Sequence, residues 1–295
     1  MLGPLAALAS SLTWAVGSSA YSPLSKKYSG LTVNLARASA AFPIFVVLIT
    51  LAGKWGDFSV ITSRETLWLV ISIIASYGSG DALFMVSSQS LGVPGALAIA
   101  SAYPIWSAIA GAVFLGQSLS WVKGAALVTV LAGVILVIVS DMRRASDIAH
   151  RRHRVFGVLM ALATSLFWSL NTYANAKVRP EISSFVANSI RMGVGIFVCS
   201  TFILFTQKRG NRRYTVEKAD WKKFGWIFGI EGAGGSFFFV YGLTHSSLAV
   251  ASVLSALAPA MAVPIALFVR RENIPTGKVI GVLLAVVGVI WLVSV

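Results

Sequence analysis

Residues 5–16 read LAALASSLTWAV, and residues 159–170 read LMALATSLFWSL. At a shift of 154 the second stretch repeats the first, with Leu5, Ser11, Leu12 and Trp14 falling on Leu159, Ser165, Leu166 and Trp168. The register holds further along, where Asn34 and Arg37 fall on Asn188 and Arg191. One inserted residue moves the shift to 155, and the match continues with Gly80 on Gly235, Phe84 on Phe239, Pro104 on Pro259, Lys123 on Lys278 and Gly133 on Gly288. Apolar helices resemble one another by composition alone, but co-linear Trp, Asn, Arg and Pro matches go beyond composition. The chain therefore reads as two copies of one unit.

Each copy holds five apolar runs bounded by charge, Pro or Gly, near residues 3–24, 32–53, 66–88, 94–116, 121–140, 155–176, 183–206, 224–244, 248–269 and 277–294. Runs of about twenty apolar residues match the ~30 Å hydrocarbon thickness of a bilayer. They are expected to be helices, because a lone segment in lipid must satisfy its own backbone hydrogen bonds, and they are too long and evenly apolar for barrel strands. Five spans per copy is an odd number, so the second copy enters the membrane upside down relative to the first. The expected fold is all-α and integral to the membrane: ten transmembrane helices as two inverted five-helix repeats around a central cavity. The domains are then residues 1–140, a basic linker 141–154, and residues 155–295.

Composition agrees. Of 295 residues, 57% are hydrophobic and 12% charged, about half the charged share of a soluble domain. The net charge of +14 would suggest nucleic acid in a soluble protein, but the basic residues here sit in short loops between apolar runs, which excludes that reading. Cys199 is the only cysteine, so no internal disulfide forms. The first run begins near Met1 without a basic leader and is read as part of the mature protein.

The loops after spans 1, 3, 5, 7 and 9 carry seventeen of the 24 Lys and Arg, clustered at Arg143, Arg144, Arg151, Arg152 and Arg154 and at Lys208, Arg209, Arg212, Arg213, Lys218, Lys222 and Lys223. The opposite side has five. This bias places the loops after odd spans in the cytoplasm of a bacterial-type inner membrane and both termini outside. Topology and headgroup contact account for both clusters.

Four charges remain inside spans: Arg37, Asp81, Arg191 and Glu231. Facing lipid would cost each at least ~2.5 kcal/mol, so they are expected to face the protein interior or water. At 1.5 Å of rise per residue, Arg37, Asp81 and Glu231 lie about 10 Å from the basic face and Arg191 towards the other. Arg37 is expected to bridge to Asp81 or Glu231 as a cytoplasmic gate or coupling site; a purely structural ion pair or a snorkelling Arg37 would use the same residues. Trp14 with Ser10 and Gly17, and Trp168 with Thr164, Asn171 and Asn175, mark equivalent faces of spans 1 and 6. Asn34, Tyr77, one turn from Asp81, and Tyr103 add polar and aromatic surface. Trp14, Asn34, Tyr77, Tyr103, Trp168 and Asn171 are therefore the candidate substrate contacts. Pro104, flanked by Tyr103 and Trp106, and Pro259 occupy matched places inside spans and are the candidate hinges. Gly277, Gly281 and Gly288 in span 10, and Gly124 and Gly133 in span 5, suit close helix packing.

Enzyme chemistry finds no support in these residues. His150 and His153 lie in a basic loop and His245 ends span 8, so no metal-ligand spacing stands on a span. Gly78-Ser79-Gly80 has no intramembrane base beside it and reads as packing. There is no phosphate-binding loop, and no cofactor is expected.

The repeated Trp stretches, the arginines of spans 2 and 7, and the closing stretches SAYPIWSAIAGAVFLGQSLSWVKGAALVTVLAGVILV and SALAPAMAVPIALFVRRENIPTGKVIGVLLAVVGVIWLV resemble the drug/metabolite transporter superfamily, in its ten-helix EamA type. The resemblance covers nearly the whole chain. It implies a cavity formed by spans 1, 3, 4, 6, 8 and 9, and export or exchange of small metabolites, amino acids among them. In that family a Glu often follows spans 4 and 9; Glu272 keeps it here and Gln117 replaces it. The combined expectation is a secondary transporter or exchanger, working by alternating access and exporting amino acids, aromatic ones included. Efflux of cationic amphiphiles is the alternative within transport, and an integral-membrane enzyme or receptor on the same scaffold the alternative outside it. The expected partners are a small-molecule substrate, the bilayer and a proton or counter-substrate, in a monomer or weak homodimer.

Overall fold

The computed structural model describes residues 2–106, 109, 120–142, 148–206, 214–246, 251, 254–269, 271 and 273–294. Gln117, Glu272, Arg143, Arg144, Lys208, Arg209, Arg212 and Arg213 lie outside the described residues. The regular elements are helices: α1 (Leu2–Tyr21), α2 (Gly30–Leu51), α3 (Ser63–Ile73), α4 (Asp81–Ala100), α5 (Trp121–Met142), α6 (Ile148–Ala176), α7 (Ser184–Thr206), α8 (Lys218–Gly229), α9 (Ser236–His245), α10 (Ala258–Pro264) and α11 (Thr276–Ser294). Among the described residues six helical stretches are long and apolar enough to cross a membrane, with two shorter ones. Their outer faces are apolar, with Val128, Ile135 and Leu131 on α5 and Leu283 and Val287 on α11 about half exposed or more. Water does not tolerate so continuous a surface; lipid does.

The third span is α3, a π-helical segment (Ile74–Gly80) and the start of α4. It ends at Gly92, where φ 71 and ψ 162 break the helix and separate the third span from the fourth. Only glycine holds that conformation without strain. The Leu91 carbonyl released there accepts from Nζ of Lys278, which is buried at the start of α11. Gly92→Ala is expected to destabilise the protein by about 1–3 kcal/mol, seen as a lower thermal-unfolding midpoint in detergent; an unchanged midpoint would show that the break accepts a side chain.

The two halves pack reciprocally. α2 lies against α7 and α5 against α11, each pairing a span with its own repeat equivalent, while α1 meets α9 and α4 meets α6, which are one contact seen from either copy. The loops do the same. Lys27 after span 1 pairs with Glu217 (2.5 Å) and Asp220 (2.8 Å) after span 7, and the Tyr28 hydroxyl donates to Asp220. The Lys27 ammonium is held above its ordinary range by its hydrogen bond to Asp220. At the other end Arg179, after span 6, bonds Glu65 (3.0 Å) beyond the loop after span 2. Loops read from charge counting as sharing a side thus meet each other. Glu65 also completes a capping box with Thr62 at the start of α3.

Close approach of α5 and α11 depends on glycine. A Cβ on Gly133 would strike the backbone of Ala285 and lie 2.7 Å from the Gly281 carbonyl oxygen. Gly281 and Gly288 face backbone atoms of α5 in the same way. Gly124 differs from this expectation, since nothing lies within 4 Å of its Cβ position.

The prolines also sit differently than expected. Pro104 lies just after a turn at Ser101–Ala102, and Pro259 in the first turn of α10, after a turn at Ala256–Leu257. At a helix start a missing N–H frees no carbonyl. The break in each span belongs to the turn preceding the proline, and the proline begins the next helical segment.

Candidate functional site

The first and eighth spans meet the third and sixth around a cavity at the centre of the protein. Two π-helical segments shape it: Ile74–Gly80 in the third span and Ile230–Gly235 between α8 and α9 in the eighth. They are repeat equivalents, rich in glycine, and a π turn leaves backbone carbonyls that need partners. The Thr164 hydroxyl donates to the Gly80 carbonyl (3.2 Å) and the Ser10 hydroxyl to the Gly235 carbonyl (3.1 Å), the same bond in both copies. Each glycine also seats an indole from the opposite repeat. A Cβ on Gly80 would lie 2.9 Å from the Trp168 ring, and one on Gly235 3.0 Å from Nε1 of Trp14.

Those two indoles stack on each other with centroids 6.1 Å apart and planes at 23°. Phe239 packs on Trp14 (5.3 Å) and Phe84 on Trp168 (5.7 Å), so four rings from two copies form one aromatic wall. Such offset contacts add about 0.5–1.5 kcal/mol each beyond burial. Tyr21, Tyr77 and Tyr103, each 2–3% exposed, also line the cavity.

Arg37 is the charged centre. Asn34 and Arg37 are three apart on α2 and so share a face. Nε and Nη2 of Arg37 donate to the two oxygens of Glu231 at 2.5 and 2.6 Å, a two-pronged pair. Nη1 donates to Asp81 at 2.7 Å and to Oδ1 of Asn34 at 2.8 Å. Asp81 also accepts from Nε1 of Trp168 at 2.9 Å. The guanidinium lies 4.5 Å from the Tyr77 ring centroid. Fork geometry and charge make these strong hydrogen bonds. Arg37 thus binds both carboxylates at once, joining spans 2 and 3 of one repeat to span 8 of the other. Gly17 makes this possible, because a Cβ there would overlap the Glu231 side chain.

Trp14, Tyr77, Tyr103, Trp168 and Asn171 all line the cavity with Arg37, Asp81 and Glu231. Asn34 does not. It is fully buried, with its amide nitrogen donating to the Tyr77 carbonyl (2.7 Å) and its oxygen committed to Arg37. It positions the arginine and the π segment, and its residue type alone could not distinguish that from a cavity wall. Trp106 donates to Ser165 (2.7 Å) and ties span 4 to span 6.

Arg191 stays out of the Arg37, Asp81 and Glu231 cluster but lines the same cavity, a role that its depth alone did not assign. Ser76, Ser236, Phe84 and Phe239 also line the cavity and were not singled out from sequence. Repeat equivalence was the available signal, since Arg191 matches Arg37 and Phe239 matches Phe84. Spans 2 and 7 therefore contribute through their arginines, and among the described residues span 9 contributes no wall. No group of three His, Cys, Asp or Glu able to hold a metal ion gathers among the described residues.

The model of the EamA-like transporter family matches residues 1–139 and again 155–294. Among curated proteins none matches the chain. A solved structure titled only "Crystal structure of protein" is 15% identical with a TM-score of 0.65, over 98% of this chain and 95% of that one. At that identity the likeness speaks to the fold.

Proposed function

The chain belongs to the EamA-like transporter family, whose members are membrane transporters of small molecules, and from that premise we propose that it exports amino acids, aromatic ones included, by alternating access. The carrying observation is the aromatic wall of Trp14, Trp168, Phe84 and Phe239 beside buried charges of both signs. A zwitterion with an apolar side chain needs both kinds of surface. Cationic amphiphiles are less well served, because Asp81 and Glu231 are both engaged by Arg37. Nothing in the site calls for bond making, so an enzyme on this scaffold is the weaker reading.

In this proposal the units 1–140 and 155–295, joined by the basic linker 141–154, rock about the cavity. Arg37, Asp81 and Glu231 form the gate nearer the basic loops, in an inner membrane with both termini outside. Return of the empty carrier is coupled to a proton or to a counter-substrate. Trp14, Tyr77, Tyr103, Trp168 and Asn171 contact the substrate, and the turns ahead of Pro104 and Pro259 give the bends. The protein works as a monomer or weak homodimer and carries no cofactor.

The test is counterflow into proteoliposomes loaded with one unlabelled amino acid, followed with labelled phenylalanine, tryptophan, leucine and a quaternary amine. Uptake of the amino acids unchanged, above empty liposomes, is expected. Uptake of the amine alone, or chemical conversion without movement, would reject the reading. A reporter fused after Val295 checks the sidedness, and Asp81→Asn with Glu231→Gln checks the coupling through the pH profile of uptake.

A further inference from the structure

The two arginines of the cavity are repeat equivalents in unequal surroundings. Each is held the same way from its own helix: Asn34 accepts from Arg37 at 2.8 Å, and Asn188 from Arg191 at 2.7 Å. Arg37 then meets Asp81 and Glu231. At the shift of 155 that relates the later spans, the equivalents of those carboxylates are Ser236 and Ser76. Arg191 accordingly meets hydroxyls and amides: Ser72 at 3.0 Å, Asn171 at 3.2 Å and Ser76 at 3.5 Å. Among the described residues no carboxylate lies within ion-pairing distance of it. Yet it is 2% exposed and lines the cavity together with Ser76 and Ser236. The Tyr77 hydroxyl on that cavity is buried with no hydrogen-bond partner.

A buried charge without a counter-charge costs several kcal/mol, and a buried hydroxyl left unsatisfied adds to that. The repeat supplies internal counter-ions at one arginine and omits them at the other. We infer that Arg191 is the substrate-anion site of this transporter, taking one carboxylate on its guanidinium with the Tyr77 hydroxyl as a second donor. The inference rests on the transport reading above and specifies its substrate class: small molecules carrying a carboxylate next to an apolar group. A carboxylate is preferred to a phosphate because Arg191 is the one cavity arginine not already paired, and one guanidinium balances a single negative charge. Asp81 and Glu231, held by Arg37, set the opposite sign across the same cavity and keep the anion at the Arg191 end.

The test uses the full chain in lipid nanodiscs, with phenylacetate, phenylethylamine and inorganic phosphate as probes and binding read by tryptophan fluorescence and thermal protection. Wild type is expected to bind phenylacetate and neither of the others. Arg191→Gln should weaken phenylacetate binding by roughly 30-fold or more, the usual consequence of removing one partner of a buried charge pair. Because that variant can fail to fold, Ser236→Asp and Ser76→Glu provide a second route. Each keeps the arginine but supplies the missing internal carboxylate, and each should abolish phenylacetate binding while the protein remains monodisperse. Unchanged phenylacetate affinity in folded Arg191→Gln or Ser236→Asp overturns the assignment. So does the absence of phenylacetate binding in wild type, and so does binding of phosphate in its place. Phenylacetate bound through Arg191 without amino-acid counterflow would sink the export reading and leave this site standing; amino-acid counterflow equally fast with carboxyl-amidated substrates would do the reverse.

Discussion

Arg37→Met is expected to lower stability by about 3–5 kcal/mol and to abolish transport, because it leaves two carboxylates in the protein interior with no counter-charge. Side-chain exposures of 4% for Arg37 and 1% for Glu231 exclude solvent from their pair, and Asp81 stands at 15%. Water therefore cannot take over the role of the guanidinium, and salt cannot screen the repulsion that remains. The loss comes from the orphaned charges more than from the pair itself, which gives a sharp control. Adding Glu231→Leu and Asp81→Asn to Arg37→Met removes those charges and should restore most of the unfolding midpoint, while counterflow stays absent. Size-exclusion profile, thermal midpoint in detergent and proteoliposome uptake separate the two effects. A single Arg37→Met protein with the wild-type midpoint would mean that the cluster is hydrated in the membrane and that its role as an interior clamp is wrong.

Gly133→Val should be nearly as damaging, by about 3 kcal/mol, through packing alone. Bilayer-embedded helices gain little from hiding apolar surface from each other, so α5 and α11 associate by close backbone contact between small residues. The Cβ of residue 133 would meet main-chain atoms of Ala285 and Gly281, and backbone has no rotamer with which to yield. The helices must separate, losing the matching contacts at Gly281 and Gly288 and reaching the upper end of the usual cost of overpacking. Gly124→Val is the paired control: nothing lies near its Cβ position, and an effect within about 0.5 kcal/mol is expected. Equal losses at positions 124 and 133 would show that the helices do not pack in the register described.

The difference between Gly124 and Gly133 illustrates what could be read from the chain. Both are glycines of one apolar span, and small size marked them equally. Which one touches α11 depends on the rotation of α5 about its axis, and an almost uniformly apolar helix carries no amphipathic signal to set that rotation. Arg191 shows the same limit in another form. Its equivalence to Arg37 was visible in the shift of 154, but position along one axis did not show that its guanidinium lines the cavity that Arg37 also lines. The encounter of Arg37 with both carboxylates was foreseeable in kind, because charges inside a bilayer seek opposite charges. That one guanidinium would hold both was not, since it depends on Gly17 leaving room for Glu231.

Segment length, apolarity and the repeat alone determined that the protein is a bundle of membrane helices built from two inverted copies, because the bilayer admits few other ways to satisfy a backbone and an odd span count reverses the second copy. Tertiary structure alone decided which arginine the two carboxylates reach, although the chain already shows serines at their repeat equivalents. The same arginine is neutralised in one copy and, in the other, buried on the cavity without a counter-charge among the described residues, because a counter-ion is defined by what packs within a few ångströms of it, and those neighbours come from spans far apart in the chain.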